Sequence, residues 1–127
     1  MKILIIVIAC VVWMSLSQKL IIGFASFPER ALAKTVAVRL VKEKLAACVK
    51  IIDGIESIYE WENKVEEARE YYLMIKTSET KAKEIDNVLK QTHPYKTYEF
   101  IYTNVDGGNE TYMEWIRQVT KNRKNEI

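Results

Sequence analysis

Few side chains in this chain are of the imidazole or thiol type that binds transition metals or acts as a nucleophile. Its 127 residues include one histidine, His93, and two cysteines, Cys10 and Cys48. Imidazole and thiolate groups are ligands that suit copper and zinc. The sequence has no Cys-x-x-Cys pair, no glycine-rich phosphate loop after a strand, and no visible pairing of histidine with serine or cysteine. These features predict a chain that catalyses no reaction and uses no organic cofactor.

His93 is the candidate ligand for copper or another divalent cation. It could bind the ion as the only histidine ligand, together with Cys48, or together with the same histidine of other subunits. The alternative is a structural imidazole at a helix end, since His93 precedes Pro94 and bonds there to last-turn carbonyls are common. Residue type alone favours the structural role. Cys48 lies among small apolar residues, so a buried apolar role is favoured for it.

An acidic segment offers a second class of cation site. It contains Glu56, Glu60, Glu62, Glu66, Glu67 and Glu70. Clustered carboxylates could hold a hard cation, but a solvated acidic rim is the favoured interpretation. Cross-strand pairing of Glu56 with Arg69 would place part of this charge beside a cation.

We predict that these glutamates lie on one long β-hairpin spanning residues 44–78. Runs rich in β-branched and aromatic residues, 48–61 and 64–77, flank Glu62-Asn63, where asparagine tolerates the positive φ of a primed turn. At about 3.3 Å per residue, an arm of ~14 residues reaches roughly 45 Å. A domain of ~110 residues is only about 35 Å across, so the hairpin should project. Asp53-Gly54 predicts a bulge in its first arm.

Aromatic side chains on the hairpin predict an oligomer. A two-stranded ribbon is marginally stable in water, and exposed apolar patches usually mark interfaces. A second copy of the chain is the simplest partner, and the predicted contact residues are Ile58, Tyr59, Trp61 and Tyr71. The alternative is a hairpin that curls back and packs within its own domain.

The remaining periodicity predicts an α+β fold. In order, it indicates a strand over 18–25, a helix beginning at a capping box of Ser26 and Glu29, the hairpin, a helix over 80–91 and a strand over 98–105. This order is the ferredoxin-like split βαββαβ arrangement, a four-stranded antiparallel sheet with both helices on one face. A further C-terminal helix is predicted, with Asn109 as its N-cap.

Residues 1–17 read as a secretory signal peptide, and residues 18–127 as a single domain. Lys2 precedes an apolar run, and Ser15-Leu16-Ser17 supplies small residues for cleavage. An uncleaved membrane anchor and a first core strand are the alternatives. Secretion would make Asn109-Glu110-Thr111 a glycosylation acceptor. The formal charge of +2 gives no case for nucleic acid as a partner.

Several segments resemble the CutA divalent-cation tolerance family. They are Lys44-Leu45-Ala46-Ala47-Cys48-Val49, Ile58-Tyr59-Glu60-Trp61-Glu62-Asn63-Lys64, His93-Pro94-Tyr95 with Glu99, and Gly108-Asn109 with Tyr112 and Trp115. Matches in this order cover residues 20–116. The resemblance implies a ferredoxin-like subunit in a homotrimer whose hairpins join the sheets of neighbouring subunits.

The resemblance also implies a link to tolerance of copper and other divalent metals, without catalysis. Bacterial members bind copper through a first-strand cysteine and a His-His doublet, where this chain has Ala25 and Thr92-His93. Animal members are associated with anchoring or maturation of a secretory-pathway enzyme. The sequence therefore supports two functional hypotheses: weak divalent-metal binding by a secreted trimer, or an adaptor trimer for a secretory-pathway protein. A small-molecule sensor, by analogy of fold alone, is a third.

Overall fold

The computed structural model describes residues 18–121. The predicted leader at 1–17, with Cys10, and the basic end at 122–127 lie outside the described residues. The elements are β1 (Leu20–Phe27), α1 (Arg30–Lys42), β2 (Cys48–Trp61), β3 (Lys64–Ser78), a 3-10 turn (Glu79–Lys81), α2 (Ala82–Thr92), β4 (Phe100–Asn104) and α3 (Glu110–Val119). The predicted α+β class and the βαββαβ order are confirmed.

The four strands form one antiparallel sheet in the order β2-β3-β1-β4. One face of the sheet packs against α1 and α2, through a core that includes Ala25, Leu73, Leu40 and Ile85. These helices are amphipathic, so burial of their apolar stripes against the sheet is what holds them there. We call this the helix face and the opposite one the open face.

Helix α3 covers one end of the open face. Met113 and Ile116 pack there against Leu20 and Ala47. A buried hydroxyl contact between Ser78 and Thr120, 2.6 Å between oxygens, fastens the helix to the end of β3. Further along the open face Ile101 remains 61% exposed. The sheet therefore leaves apolar surface that its own helices do not cover.

The long hairpin is the largest feature of the molecule. Its turn lies at Glu62-Asn63, with φ of 50° and 64°, as the primed turn requires. The pairing of β1 with β3 ends at Phe27 and Tyr71. Beyond that point β2 and β3 form a two-stranded ribbon, residues 55–70, whose partners include Glu56 with Arg69. We call this segment the ribbon.

Several predicted boundaries differ from the observed ones. The capping box fails because pairing with β3 extends β1 through Phe27, so Ser26 is a strand residue and Glu29 caps α1 without a side-chain bond. Strand β1 itself begins two residues later than predicted. Tyr98 lies before β4, because its hydroxyl bonds to Asp86 of α2 instead of following the sheet.

Candidate functional site

His93 is held at the end of α2 by hydrogen bonds from both ring nitrogens. Nε2 lies 2.7 Å from the carbonyl oxygen of Ser26, and Nδ1 accepts the backbone N–H of Tyr95 at 3.1 Å. Because Nδ1 accepts, Nε2 must carry the proton and donate to Ser26. Helix α2 and strand β1 are thus joined through one imidazole.

Aromatic rings surround this imidazole. Phe27 stacks on it at 4.6 Å between ring centroids, Tyr98 stacks at 5.2 Å, and Tyr95 lies tilted at 5.1 Å. Such packing fixes the orientation of the ring. A metal could bind His93 only by displacing one of its two backbone partners, so this conformation favours the structural role over the ligand role.

The hydroxyls beside His93 are electrostatically perturbed. Burial, followed by a hydrogen bond and the charge of Asp86, raises the pKa of Tyr98 to about 12. Burial, followed by the charge of Glu70 and by Tyr59, raises the pKa of Tyr95. Both phenols stay protonated at neutral pH, and the hydroxyl of Tyr98 donates a hydrogen bond to Asp86.

A second phenol and carboxylate lie nearby on the open face. Tyr72 stacks on Phe24, with ring centroids 5.5 Å apart. Burial and the hydrogen-bonded carboxylate of Glu99 raise the pKa of Tyr72 to about 12. Tyr72 with Glu99, and Tyr95 with Glu70 and Tyr59, are thus two phenol and carboxylate groups near the point where the ribbon leaves the sheet. We call the two groups together the ribbon-base cluster.

Sequence reasoning did not single out this cluster. The available signal was the triplet His93-Pro94-Tyr95 with Glu99, which entered only as part of the family resemblance. Glu70 was counted with the other ribbon glutamates, although it is only 8% exposed while its neighbours in that list are exposed. Strand alternation alone could not reveal which of these glutamates is buried, because burial depends on segments that meet only after folding.

The predicted interface residues occupy different positions on the ribbon. Ile58, Tyr59 and Trp61 are 66%, 44% and 53% exposed. Alternation places Tyr59 and Trp61 on the open face and Ile58 on the other. Tyr71 lies at the ribbon base, half-buried against the helix-face core of its own chain. The outer ribbon thus presents apolar side chains on both faces.

Cys48 and His93 are not brought together. Cys48 is a half-buried free thiol at the start of β2, paired across the ladder with Lys76, which is also the partner of Ile22 on β1. His93 contacts Ser26, four residues further along that strand, or about 13 Å at the usual strand rise.

No group of three or more potential metal ligands of the His, Cys, Asp or Glu type occurs within residues 18–121. In that part of a single subunit, side chains of these four types alone therefore form no preformed multidentate site for a divalent cation.

Asn109 is the N-cap of α3, as predicted. Its side-chain oxygen accepts the N–H of Tyr112 at 3.0 Å and the hydroxyl of Thr111 at 2.6 Å. The side chain is exposed, and its amide nitrogen, the atom that a glycan would modify, makes neither of these bonds. In the part of the chain with assigned structure, no helix is long and apolar enough to cross a membrane.

Comparison with known proteins identifies the family. Residues 21–119 match the family described as CutA1 divalent ion tolerance protein. This chain belongs to the CutA1 family. Protein CutA of Homo sapiens is 39% identical over 105 residues, which are 83% of this chain and 59% of the human protein. Divalent-cation tolerance protein CutA of Thermus thermophilus is 38% identical over 93 residues, 73% of this chain and 90% of that protein.

Solved CutA1 structures share the fold. The crystal structure of CutA1 from Oryza sativa superposes with a TM-score of 0.80 at 37% identity, over 83% of this chain and 96% of the rice chain. CutA1 of Thermus thermophilus superposes with a TM-score of 0.78 at 35% identity, over 80% of this chain and 98% of the Thermus chain. This chain spans less than two thirds of the human, mouse and Arabidopsis CutA proteins, at 59%, 58% and 56% of their lengths. The CutA resemblance read from the sequence is confirmed.

Proposed function

We propose that this chain is the subunit of a non-catalytic homotrimer that serves divalent cation tolerance. The family description supports the link to divalent ions. The observation that carries the assembly is the ribbon, which extends past the end of β1 with Tyr59 and Trp61 half-exposed. Side chains of this size gain stability when a second surface removes them from water.

The open face supports the same proposal. Ile101 of β4 and the ribbon aromatics Tyr59 and Trp61 lie on that face by strand alternation. A closed ring of three subunits would let each ribbon cover a neighbour's exposed surface, because closed cyclic symmetry repeats one heterologous contact without leaving a free end.

Within this proposal, divalent metal, with copper as the first candidate, is bound weakly, and His93 is the candidate ligand. Its two nitrogens are already bonded to Ser26 and Tyr95, so binding must compensate for the loss of a hydrogen bond. Further ligands would have to come from other subunits.

The same geometry favours a second candidate function, an adaptor trimer. If His93 remains bonded to backbone and metal binding is incidental, the assembled surface is what a secretory-pathway partner would recognise. Delivery to that pathway rests on the signal-peptide interpretation of residues 1–17, with cleavage before residue 18. A CutA from Archaeoglobus fulgidus, 30% identical, is described as periplasmic, and glycosylation of Asn109 belongs to the same proposal.

The test has two arms on the chain of residues 18–127. Sedimentation equilibrium should give three subunit masses at micromolar concentration, and a monomer would overturn the assembly. Copper titration by calorimetry should then show weak binding that His93→Gln weakens further.

Lys96→Ala is the matched control, since Lys96 is exposed in the same loop, and it should leave the copper affinity unchanged. Equal affinity of the wild type and His93→Gln would remove His93 from any metal site. That result would favour the adaptor function.

A further inference from the structure

A shallow groove runs along the helix face between α1 and strand β2. Its volume is about 310 Å³, which is at the lower end of the range for small-molecule sites. Its walls are aliphatic, and they consist of Ala37, Val38 and Val41 of α1 with Val49 and Ile51 of β2. Two lysines of α1 complete the lining, and among residues 18–121 no acidic side chain contributes to it. The groove therefore combines an apolar surface with positive charge.

The groove exists because α1 presents one apolar stripe beyond the edge of the sheet. Lys34, Val38 and Lys42 follow one another at intervals of four residues, so they share one side of the helix. Strand β2 is the last strand on this side of the sheet, and the described chain supplies no further strand to cover the stripe. Val38 and Val41 are consequently 42% and 41% exposed.

The two lysines of the groove are the cations of α1 that no carboxylate neutralises. Helix α1 contains two arginines, two lysines and no acidic residue. Its arginines pair with Asp53 and Glu43, whereas Lys34 and Lys42 take part in no ion pair within residues 18–121. Eight residues of helix separate the two lysines by about 12 Å. Each end of the groove therefore offers one positive charge.

We infer that this groove binds a small amphipathic anion of the fatty carboxylate class. The hydrocarbon chain lies on the valine and isoleucine side chains, because removing both surfaces from water is favourable. The carboxylate contacts the ammonium group of Lys34 or Lys42, whose aliphatic stems extend the apolar wall while their charged ends stay in water. One positive charge at each end matches a singly charged head group.

This site is separate from the surfaces that the proposed trimer uses. Val49 and Ile51 pack against the helix-face core, whereas the proposed assembly buries the ribbon and the open face. His93 does not line the groove. The site belongs to a single subunit, so the binding of an amphipathic anion depends neither on the trimer nor on a metal.

Methyl NMR of the chain of residues 18–127, titrated with dodecanoate below its micelle concentration, locates the site. We expect saturable shifts of the methyl signals of Val38, Val41, Val49 and Ile51. Val65 is the internal control, because it lies on the ribbon and is 75% exposed, and its signals should not move. Shifts confined to other methyl groups, or none at all, would overturn the inference.

Head-group selectivity tests the role of the two lysines. Dodecyltrimethylammonium has the same hydrocarbon chain with the opposite charge, and calorimetry should show that it binds roughly tenfold more weakly than dodecanoate. The double variant Lys34→Glu, Lys42→Glu should reverse this preference. Lys83→Glu is the matched control, since Lys83 is exposed on α2 and does not line the groove. Equal affinity of the wild type for both ligands would overturn the inference.

Val38→Asp tests the apolar wall, and it places a negative charge where the hydrocarbon chain should lie. The exposed position tolerates the change, and the affinity for dodecanoate should fall about tenfold or more. If the variant instead alters the sedimentation mass of the ligand-free protein, the groove is covered by a second copy of the chain, and the inference is overturned. A monomeric wild type that binds dodecanoate at this site would support the inference and overturn only the trimer.

Discussion

The side chain of His93 is oriented by two backbone groups, one of them two residues away and the other distant in sequence. Ser26 accepts from Nε2 and Tyr95 donates to Nδ1, so the tautomer follows from the fold. The adjacent Tyr98 hydroxyl bonds to Asp86 and its ring stacks on His93. These contacts link the end of α2 to the loop that follows it, and they make Tyr98 a sensitive reporter of local structure.

Alkaline pH should destabilise the protein through Tyr98. Its pKa is raised to about 12 in the folded state by burial and by Asp86, and an unfolded tyrosine titrates near pH 10. The contribution of the protonated Tyr98 phenol to the free energy of unfolding is therefore fully present below about pH 10, and it is lost as the pH rises towards 12. Urea unfolding at pH 9 and pH 11 should show this loss.

Asp86→Asn tests the cause of the shift. The substitution should lower the pKa of Tyr98 in an NMR titration of labelled tyrosines, because it removes the negative charge beside the phenol. Tyr72 is the internal control, since its pKa is raised by burial and Glu99 and should not change. An unaltered Tyr98 titration would contradict the assigned role of Asp86.

At the scale of elements, the hairpin could be predicted from the sequence because its turn and its bulge depend on residues that are adjacent in the chain. Glu62-Asn63 has the φ values of a primed turn, and a register shift between Ile52 and Ile55 marks the bulge at Gly54. The ends of β1 and β4 could not be predicted in this way. They depend on how far each strand finds a pairing partner, and Tyr98 is drawn out of the strand by Asp86.

Gly54→Ala should destabilise the folded state by about 1 kcal/mol, from the left-handed conformation alone. Gly54 has a φ of +72°, and an added Cβ would meet nothing within 4 Å. Gly107→Ala is the matched control, since that position is equally open and has no positive φ in the left-handed range. Chemical denaturation of both variants measures the difference, and equal stabilities would contradict a strained bulge.

At the scale of the whole molecule, the ribbon links stability to assembly. Trp61 is 53% exposed in the single subunit, so its truncation would cost little if the chain acted alone. If a neighbouring subunit buries the ring, Trp61→Ala should lower the free energy of unfolding by about 3–5 kcal/mol. The protein concentration dependence of thermal unfolding should increase as well.

Val38→Ala is the control for this truncation, because Val38 is 42% exposed on α1. It should change stability little. Unaltered mass and stability in Trp61→Ala would show that this ring does not lie in the interface.

The sequence by itself determined the element order, the hairpin with its turn and bulge, the cap at Asn109 and the CutA family. Each depends on residue type and short spacing, which are local properties. Only the tertiary structure decided that His93 is bonded through both nitrogens and that Glu70, unlike the other ribbon glutamates, is buried. Those outcomes depend on contacts between loops and strands that are distant in sequence. Such contacts form only on folding, so no single segment of the sequence predicts them.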